Sequence, residues 1–161
     1  MPALEFYEQA KAALAEGVQL IINDRVDIAL AAGASGVHLG QDDLPTEAAR
    51  KLLGPQAIIG YSTHNVDQAI SAIKLPIDYL AIGPIFSTTT KSDTAPVLGL
   101  HGLRAVRDAI GDFPIVAIGG ITLDNARSVI DAGADSVAVI SALLSTSDIT
   151  RTTQTLLESL R

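Results

Sequence analysis

Six short apolar, β-branched runs punctuate the chain, and each closes on small or polar residues. They are "VQLIIN" (18–23), "GVHLG" (36–40), "AIIGYST" (57–63), "DYLAIGPI" (78–85), "PIVAIGG" (114–120) and "DSVAVIS" (135–141). Near-continuous apolarity, rather than strict alternation, marks strands covered on both faces, so the pattern predicts a parallel sheet and not a sandwich. The intervening segments space their apolar residues as helices do: "RVDIALAAGA", "TEAARKLLG", "NVDQAISAI", "GLRAVRDAI", "LDNARSVIDAGA" and the tail "TRTTQTLLESLR". The chain opens on a further predicted helix, "PALEFYEQAKAALAEG", with no strand before it.

Two stretches, "VDIALAAGASGVHLG" and "ARSVIDAGADSVAVIS", share one shape: helix, Ala-Gly-Ala, a serine close by, then an apolar strand. The glycines fall where a helix ends in the left-handed conformation, which predicts a repeated αβ unit. At about 20 to 28 residues the unit is short, as in a TIM-type (β/α) barrel. No linker, low-complexity tract or charge block interrupts it, so residues 1–161 are expected to form a single barrel domain. A closed barrel of this kind takes eight parallel strands, and six leave two raw edges. The expectation is an incomplete barrel.

Composition narrows the function classes. Mean hydropathy is positive, yet no apolar run reaches the roughly 18 residues of a membrane span. The acidic N-terminal segment lacks the basic start and apolar centre of an export signal. Without cysteine there is no disulfide framework and no thiolate zinc site, and a cytoplasmic location is expected. A formal charge of -7 speaks against a general nucleic-acid or anionic-membrane binder. Eleven Lys and Arg still suffice for a local anion site.

Barrel chemistry clusters at the carboxyl ends of strands. There the chain places Asn23 and Asp24, then Gln41 to Asp43, then Ser62, Thr63 and His64, then Ser87 to Lys91, then Gly119 and Gly120, and last Ser141. Asp24 and Asp43 end successive strands, so neighbouring loops could aim two carboxylates at one point. Two hard oxygen ligands, with water and phosphate oxygens completing the shell, suit Mg²⁺ better than Zn²⁺. Singly, Asp24 also reads as an N-cap and Asp43 as a solvated turn acid before Pro45; as a pair, the metal reading gains the advantage. The run "STTTK" offers short donors and a cation to an anion, though read alone such a run is more often a flexible polar loop. In "AIGGIT" two glycines let the backbone approach a ligand, with free amides at the next helix start suited to phosphate, and "VISAL" does the same one strand later; a mere tight turn is the alternative. His38, inside an apolar strand, reads as a satisfied core histidine. His64 is a site candidate or a helix cap, and His101 has no supporting neighbours. No nucleophile elbow, Walker A sequence or dinucleotide fingerprint is present.

Taken together and in order, "LIINDRVDIALAAGASGVHLGQDDLP", "IIGYSTHN", "DYLAIGPIFSTTTKSD", "VAIGGIT" and "VAVISAL" resemble the thiamine phosphate synthase family from about residue 5 to the C-terminus. The resemblance implies a Mg²⁺-dependent transferase of thiamine biosynthesis that joins hydroxymethylpyrimidine diphosphate to thiazole phosphate and releases pyrophosphate. It places Asp24 and Asp43 at the metal, Asn23 and Ser62 near the pyrimidine, and Lys91 on the pyrophosphate, with Ser62 and Lys91 in catalytic positions. Thr88, Thr89 and Thr90 match the thiazole phosphate loop, and Gly120, Ile140 and Ser141 its backbone donors. The family's first two strands, the second ending in a basic Gln-x-Arg-x-Lys motif, have no counterpart in the sequence. The resemblance therefore implies the last six of eight strands, as an incomplete or mis-started gene product first, then as a split enzyme completed by an N-terminal partner subunit, then as a chain pairing its open edges with a second copy. Alternatives are the related thiazole tautomerase and a non-catalytic thiazole-phosphate binder.

Overall fold

The computed structural model describes residues 1–88 and 95–160. They form two compact units, Met1–Ser62 with Lys74–Tyr79, and Thr63–Ile73 with Leu80–Arg161. In the first unit, α1 (Ala3–Ala15) precedes β1 (Ile21–Asn23), α2 (Val26–Ala32), β2 (Gly36–Leu39), α3 (Thr46–Leu53) and the start of β3 (Ile58–Thr63). β1 pairs parallel with β2 and β2 with β3, in a register that sets Asn23 beside His38 and His38 beside Gly60. Ile22, Val37, Leu39 and Ile59 are buried and, with α2 packed on β1 and β2, form this unit's core. The other face of the same strands carries His38, Gly60 and Ser62, because side chains alternate along a strand.

The second unit holds α4 (Val66–Ala72), most of β4 (Tyr79–Ile82), α5 (Gly99–Ile110), β5 (Ile115–Ile118), α6 (Ala126–Asp131), β6 (Ser136–Ala138), α7 (Ser141–Leu144) and α8 (Ile149–Ser159). β4, β5 and β6 pair parallel in sequence order. Leu80, Ile82, Ile115 and Ala117 of the strands and Leu103, Val106 and Val129 of the helices are fully or almost fully buried. Among the described residues no helix is long and apolar enough to cross a membrane.

All six expected strands are present, each shorter than its apolar run: β1 begins only at Ile21, and β4 and β6 stop well before their runs end. β4 ends at Ile82 instead of Ile85: beyond it, the Gly83 amide turns to Thr63 O at 3.2 Å, while Ile85 and Phe86 donate to Ile118 O and Gly119 O at 2.9 Å each. β6 ends at Ala138, and the run expected to continue to Ser141 bends at Ile140 into α7. The two Ala-Gly-Ala helix ends match each other as expected. Gly33 and Gly133 have φ of 73° and 109°, and the residue after each returns its amide to the carbonyl five residues back, Ala34 to Ala29 and Ala134 to Val129. This is how a left-handed cap satisfies the last carbonyls of a helix.

One device occurs once in each unit, at the amino ends of the strands. Arg50 on α3 donates to the carbonyls of Gly54, Ala57 and Pro76 and to Asp78 Oδ2 at 2.6 Å; the same oxygen accepts the Ile59 amide at 2.7 Å. Arg107 on α5 donates to the carbonyls of Gly111, Phe113 and Gly133 and to Asp135 Oδ2 at 2.5 Å, and that oxygen accepts the Ile115 amide at 2.7 Å. Each planar guanidinium thus ties the end of its helix to the starts of two strands, a use that its fixed fork of donors favours over lysine. Arg107→Met is expected to lower the free energy of unfolding by about 2–3 kcal/mol through loss of charge-assisted bonds to partly buried carbonyls. The readout is the urea midpoint at constant slope. Arg127→Met, which breaks only the i,i+4 pair with Asp131 between side chains 54% and 53% exposed, should change it by no more than about 0.5 kcal/mol.

Candidate active site

The carboxyl ends of β1, β2 and β3 bring polar groups together in the first unit. Asn23 and Asp24 are exposed. Asp24 has φ 63°, the one positive value outside glycine among the described residues. Its amide donates to His38 O at 2.8 Å, and the next amide, of Arg25, folds back onto Asn23 O at 2.8 Å. That places Asp24 at the centre of a γ-turn, a strained conformation for any residue with a side chain. The N-cap reading of Asp24 is corrected: Arg25 occupies the N-cap position of α2, and no side chain caps it. Arg25 instead grips both oxygens of Asp27, at 2.8 and 2.5 Å, and this bond holds the Asp27 carboxyl below the usual carboxylate range.

After β2 the chain turns through Gly40 to Asp43, and Asp43 Oδ2 accepts the Gly40 amide at 2.7 Å. The turn-acid role is therefore real, and it uses one carboxylate oxygen. Tyr61, on β3, has its phenol pushed up first by burial and then by the carboxylates of Asp42, Asp43 and Glu47. The field around this loop is negative. Ser62 Oγ lies 2.8 Å from His38 Nε2, whose other ring nitrogen is 2.9 Å from the Tyr79 hydroxyl. His38 is thus half-buried and bonded through both nitrogens, in keeping with the satisfied histidine expected.

In the second unit Thr63 is buried and donates to Ala81 O at 3.1 Å. His64 does not cap α4. Asn65 does so, its side chain accepting the Gln68 amide at 2.9 Å, while Gln68 returns an acceptor to the His64 amide at 2.7 Å, in the manner of a capping box. The His64 ring faces Gly83 O at 2.6 Å; a carbonyl only accepts, so Nδ1 carries the proton. Gly119 and Gly120 adopt φ of 101° and 64°. A side chain on either would strike the chain itself: a Cβ on Gly119 would lie 2.7 Å from Pro84, and one on Gly120 would lie 2.5 Å from Ser87 O. Close approach is what these glycines permit, but the neighbour they admit is the segment leading into the hydroxyl run. The expected free amides are partly spoken for, since Thr122 N donates to Asn125 Oδ1 at 2.8 Å and Asn125 Nδ2 to Gly120 O at 3.1 Å. Ile140 and Ser141 are exposed at the start of α7. Thr88 is half-buried; Thr89, Thr90 and Lys91 lie outside the described residues.

Two shallow hollows flank these residues, each within one unit. One of about 380 Å³ is lined by Asp24 with Leu30, Leu44 and Leu52, and one of about 440 Å³ by His64, Asn65, Gln68 and Val97. Sequence reasoning missed Tyr79, Gly60 and Asn125. The signals were faint: a tyrosine opening "YLAI", and a glycine two residues before Ser62 on the same strand face.

Parallel strands alternating with helices, with polar side chains and glycine turns at the carboxyl ends of the strands, define an α/β enzyme fold of the TIM-like class. The chain belongs to the family described as thiamine monophosphate synthase, which matches residues 2–143. It is 57% identical over 141 residues to a thiamine-phosphate synthase of Koribacter versatilis, covering 88% of this chain and 66% of the relative. It is 54% identical over 134 residues to one of Chloroflexus aurantiacus, covering 83% and 61%. The chain thus spans less than two thirds of the length of these relatives. Among solved structures, a thiamine phosphate pyrophosphorylase from Pyrococcus furiosus superposes with a TM-score of 0.88 at 39% identity, over 99% of this chain and 78% of that one.

Proposed function

We propose that the chain carries the catalytic strand ends of a thiamine phosphate synthase, a transferase that joins hydroxymethylpyrimidine diphosphate to thiazole phosphate with release of pyrophosphate. The observation that carries this reading is the 57% identity to a thiamine-phosphate synthase across 88% of the chain. In this reading the first unit serves the pyrimidine. Asn23 and Ser62 contact the ring, and Asp24 and Asp43 hold Mg²⁺.

The donor set fits that ion. Asp24 and Asp43 would supply hard carboxylate oxygens from the ends of neighbouring strands, and Mg²⁺ takes one or two of these and completes its shell with water and phosphate. When bound, the ion would neutralise charge on the departing pyrophosphate. Lys91 is assigned to the same leaving group, so that preorganised positive charge meets negative charge as it develops. The electron-rich aminopyrimidine stabilises the cation left behind, and the thiazole nitrogen closes the bond. Little proton transfer is asked of the protein, in line with a site whose histidines are tied to Ser62, Tyr79 and Gly83. Thr88, Thr89 and Thr90, with the backbone at Gly120, Ile140 and Ser141, are assigned to the thiazole phosphate. The six strands correspond in this reading to the last six of eight, acting in the cytoplasm.

The test is thiamine phosphate formation by the purified chain with both substrates and Mg²⁺. Product above a no-enzyme control, abolished by EDTA, is expected. Isomerisation of a thiazole carboxylate phosphate without joining, or thiazole phosphate binding without turnover, would replace this reading.

A further inference from the structure

His38, Gly60, Ser62 and Tyr79 share one face of the strands in the first unit. Gly60 has no positive φ; its role is spatial. A Cβ at this position would lie 2.1 Å from the Tyr79 ring, 2.3 Å from its hydroxyl oxygen and 2.4 Å from His38 Nδ1. The absent side chain is what lets His38 and Tyr79 meet across β3, with ring centroids 5.5 Å apart and planes at 27°.

The chain Tyr79 Oη, His38 Nδ1, His38 Nε2, Ser62 Oγ, with links of 2.9 and 2.8 Å, can run in two directions. If His38 Nδ1–H donates to Tyr79, the phenol proton needs another acceptor. Tyr79 has none among the described residues, and burial pushes its phenol up, so the proton stays. An O–H left without an acceptor on this half-buried ring is unfavourable. The opposite direction satisfies every group: Tyr79 O–H donates to Nδ1, and Nε2–H donates to Ser62 Oγ.

We infer that Tyr79 and His38 are positioning residues which, by fixing the Nε2–H tautomer, make the Ser62 hydroxyl a donor aimed at a hydrogen-bond acceptor of the bound ligand. Only the ligand's identity rests on the function proposed above; the tautomer does not. The acceptor is a ring nitrogen of the pyrimidine or an oxygen of its diphosphate. Either way the serine, already receiving a bond from His38, has one proton to give outward. A ligand presenting only a donor here could use the second lone pair of Oγ but would leave the serine's own proton without a partner, so an acceptor is preferred.

The experiment reads the tautomer first. In the full chain labelled with ¹⁵N-histidine, above the ordinary histidine pKa of about 6.5, the three rings are separated by the loss of one signal set in His38→Gln. The wild-type protein is expected to show Nε2 protonated and Nδ1 bare at His38. Tyr79→Phe keeps the ring and its fit over Gly60 and should shift His38 toward the Nδ1–H form. Nδ1 protonated in the wild type, or an unchanged ring in Tyr79→Phe, would overturn the inference.

The second readout is binding of the pyrimidine alcohol and of pyrophosphate as separate probes. Tyr79→Phe should weaken one of them about 3- to 10-fold, the size of one neutral hydrogen bond, and the probe affected identifies the acceptor. In a Ser62→Ala background the same substitution should have no further effect, since Tyr79 acts through the serine. An equal loss in both backgrounds means packing alone and refutes the relay. If neither probe binds the wild type while the Nε2–H tautomer is observed, the functional reading fails and the tautomer lock stands.

Discussion

Asp24→Asn is expected to lower thiamine phosphate formation by about 10²-fold or more, the scale on which removal of one preorganised charge-stabilising contact is felt. Stability should change by less than about 0.5 kcal/mol, as for a surface substitution that breaks no backbone feature. The prediction rests on the strain at this residue. At φ 63°, between amides committed to His38 O and Asn23 O, only Gly, Asn or Asp sits cheaply. Asparagine therefore keeps the turn and removes the charge. Asp24→Gly provides the complementary control: it relieves the backbone, should be as stable or more so, and should be equally slow. Two measurements decide the matter, turnover across a Mg²⁺ titration and Mg²⁺ binding by calorimetry in the presence of pyrophosphate. Wild-type Mg²⁺ dependence and affinity in Asp24→Asn would remove Asp24 from the metal site.

Gly120→Ala should cost about 3 kcal/mol. Roughly 1–2 kcal/mol is the left-handed penalty for a residue with a Cβ at φ 64°. The remainder is collision: the methyl would sit 2.5 Å from Ser87 O and 2.8 Å from Phe86 Cβ, and overpacking of this kind costs about 1–3 kcal/mol. Gly111→Ala separates the two contributions, for its φ is 62° and nothing lies within 4 Å of the added carbon. It should lose only the backbone part. Equal urea midpoints for the two variants would mean that the Phe86–Ser87 segment yields without resistance. Because that segment leads into Thr88, the alanine at 120 should also weaken thiazole phosphate binding.

Much of this architecture is legible in the residues themselves. Six apolar runs gave six strands, and the two Ala-Gly-Ala motifs gave two helix ends with matching bonds. The strand limits were less legible. Val139 and Ile140 look like β6, yet pairing has stopped and Ile140 is 49% exposed, because apolar composition reports burial and not hydrogen-bonding register. At the site, single-residue readings went astray where a neighbour could do the same task. Asn65 took the cap that His64 had been offered, and Arg25 stands where Asp24 had been considered. Gly60 and Tyr79 left only faint marks in the local pattern. Their meaning lies in a contact across three strands, which only the register creates.

The paired arginine clamps imply a history. Arg50 and Arg107 are 57 residues apart (107 − 50), and Asp78 and Asp135 are separated by the same number (135 − 78), as expected of one two-strand segment written twice in tandem. Carried along at that offset, the two halves share their clamped amino ends and differ at their tips, where Ser62, Thr63 and Gly83 correspond to Gly119, Gly120 and Ile140. A chain descended in this way can acquire a new substrate by editing half a dozen tip residues, with the clamps beneath left untouched.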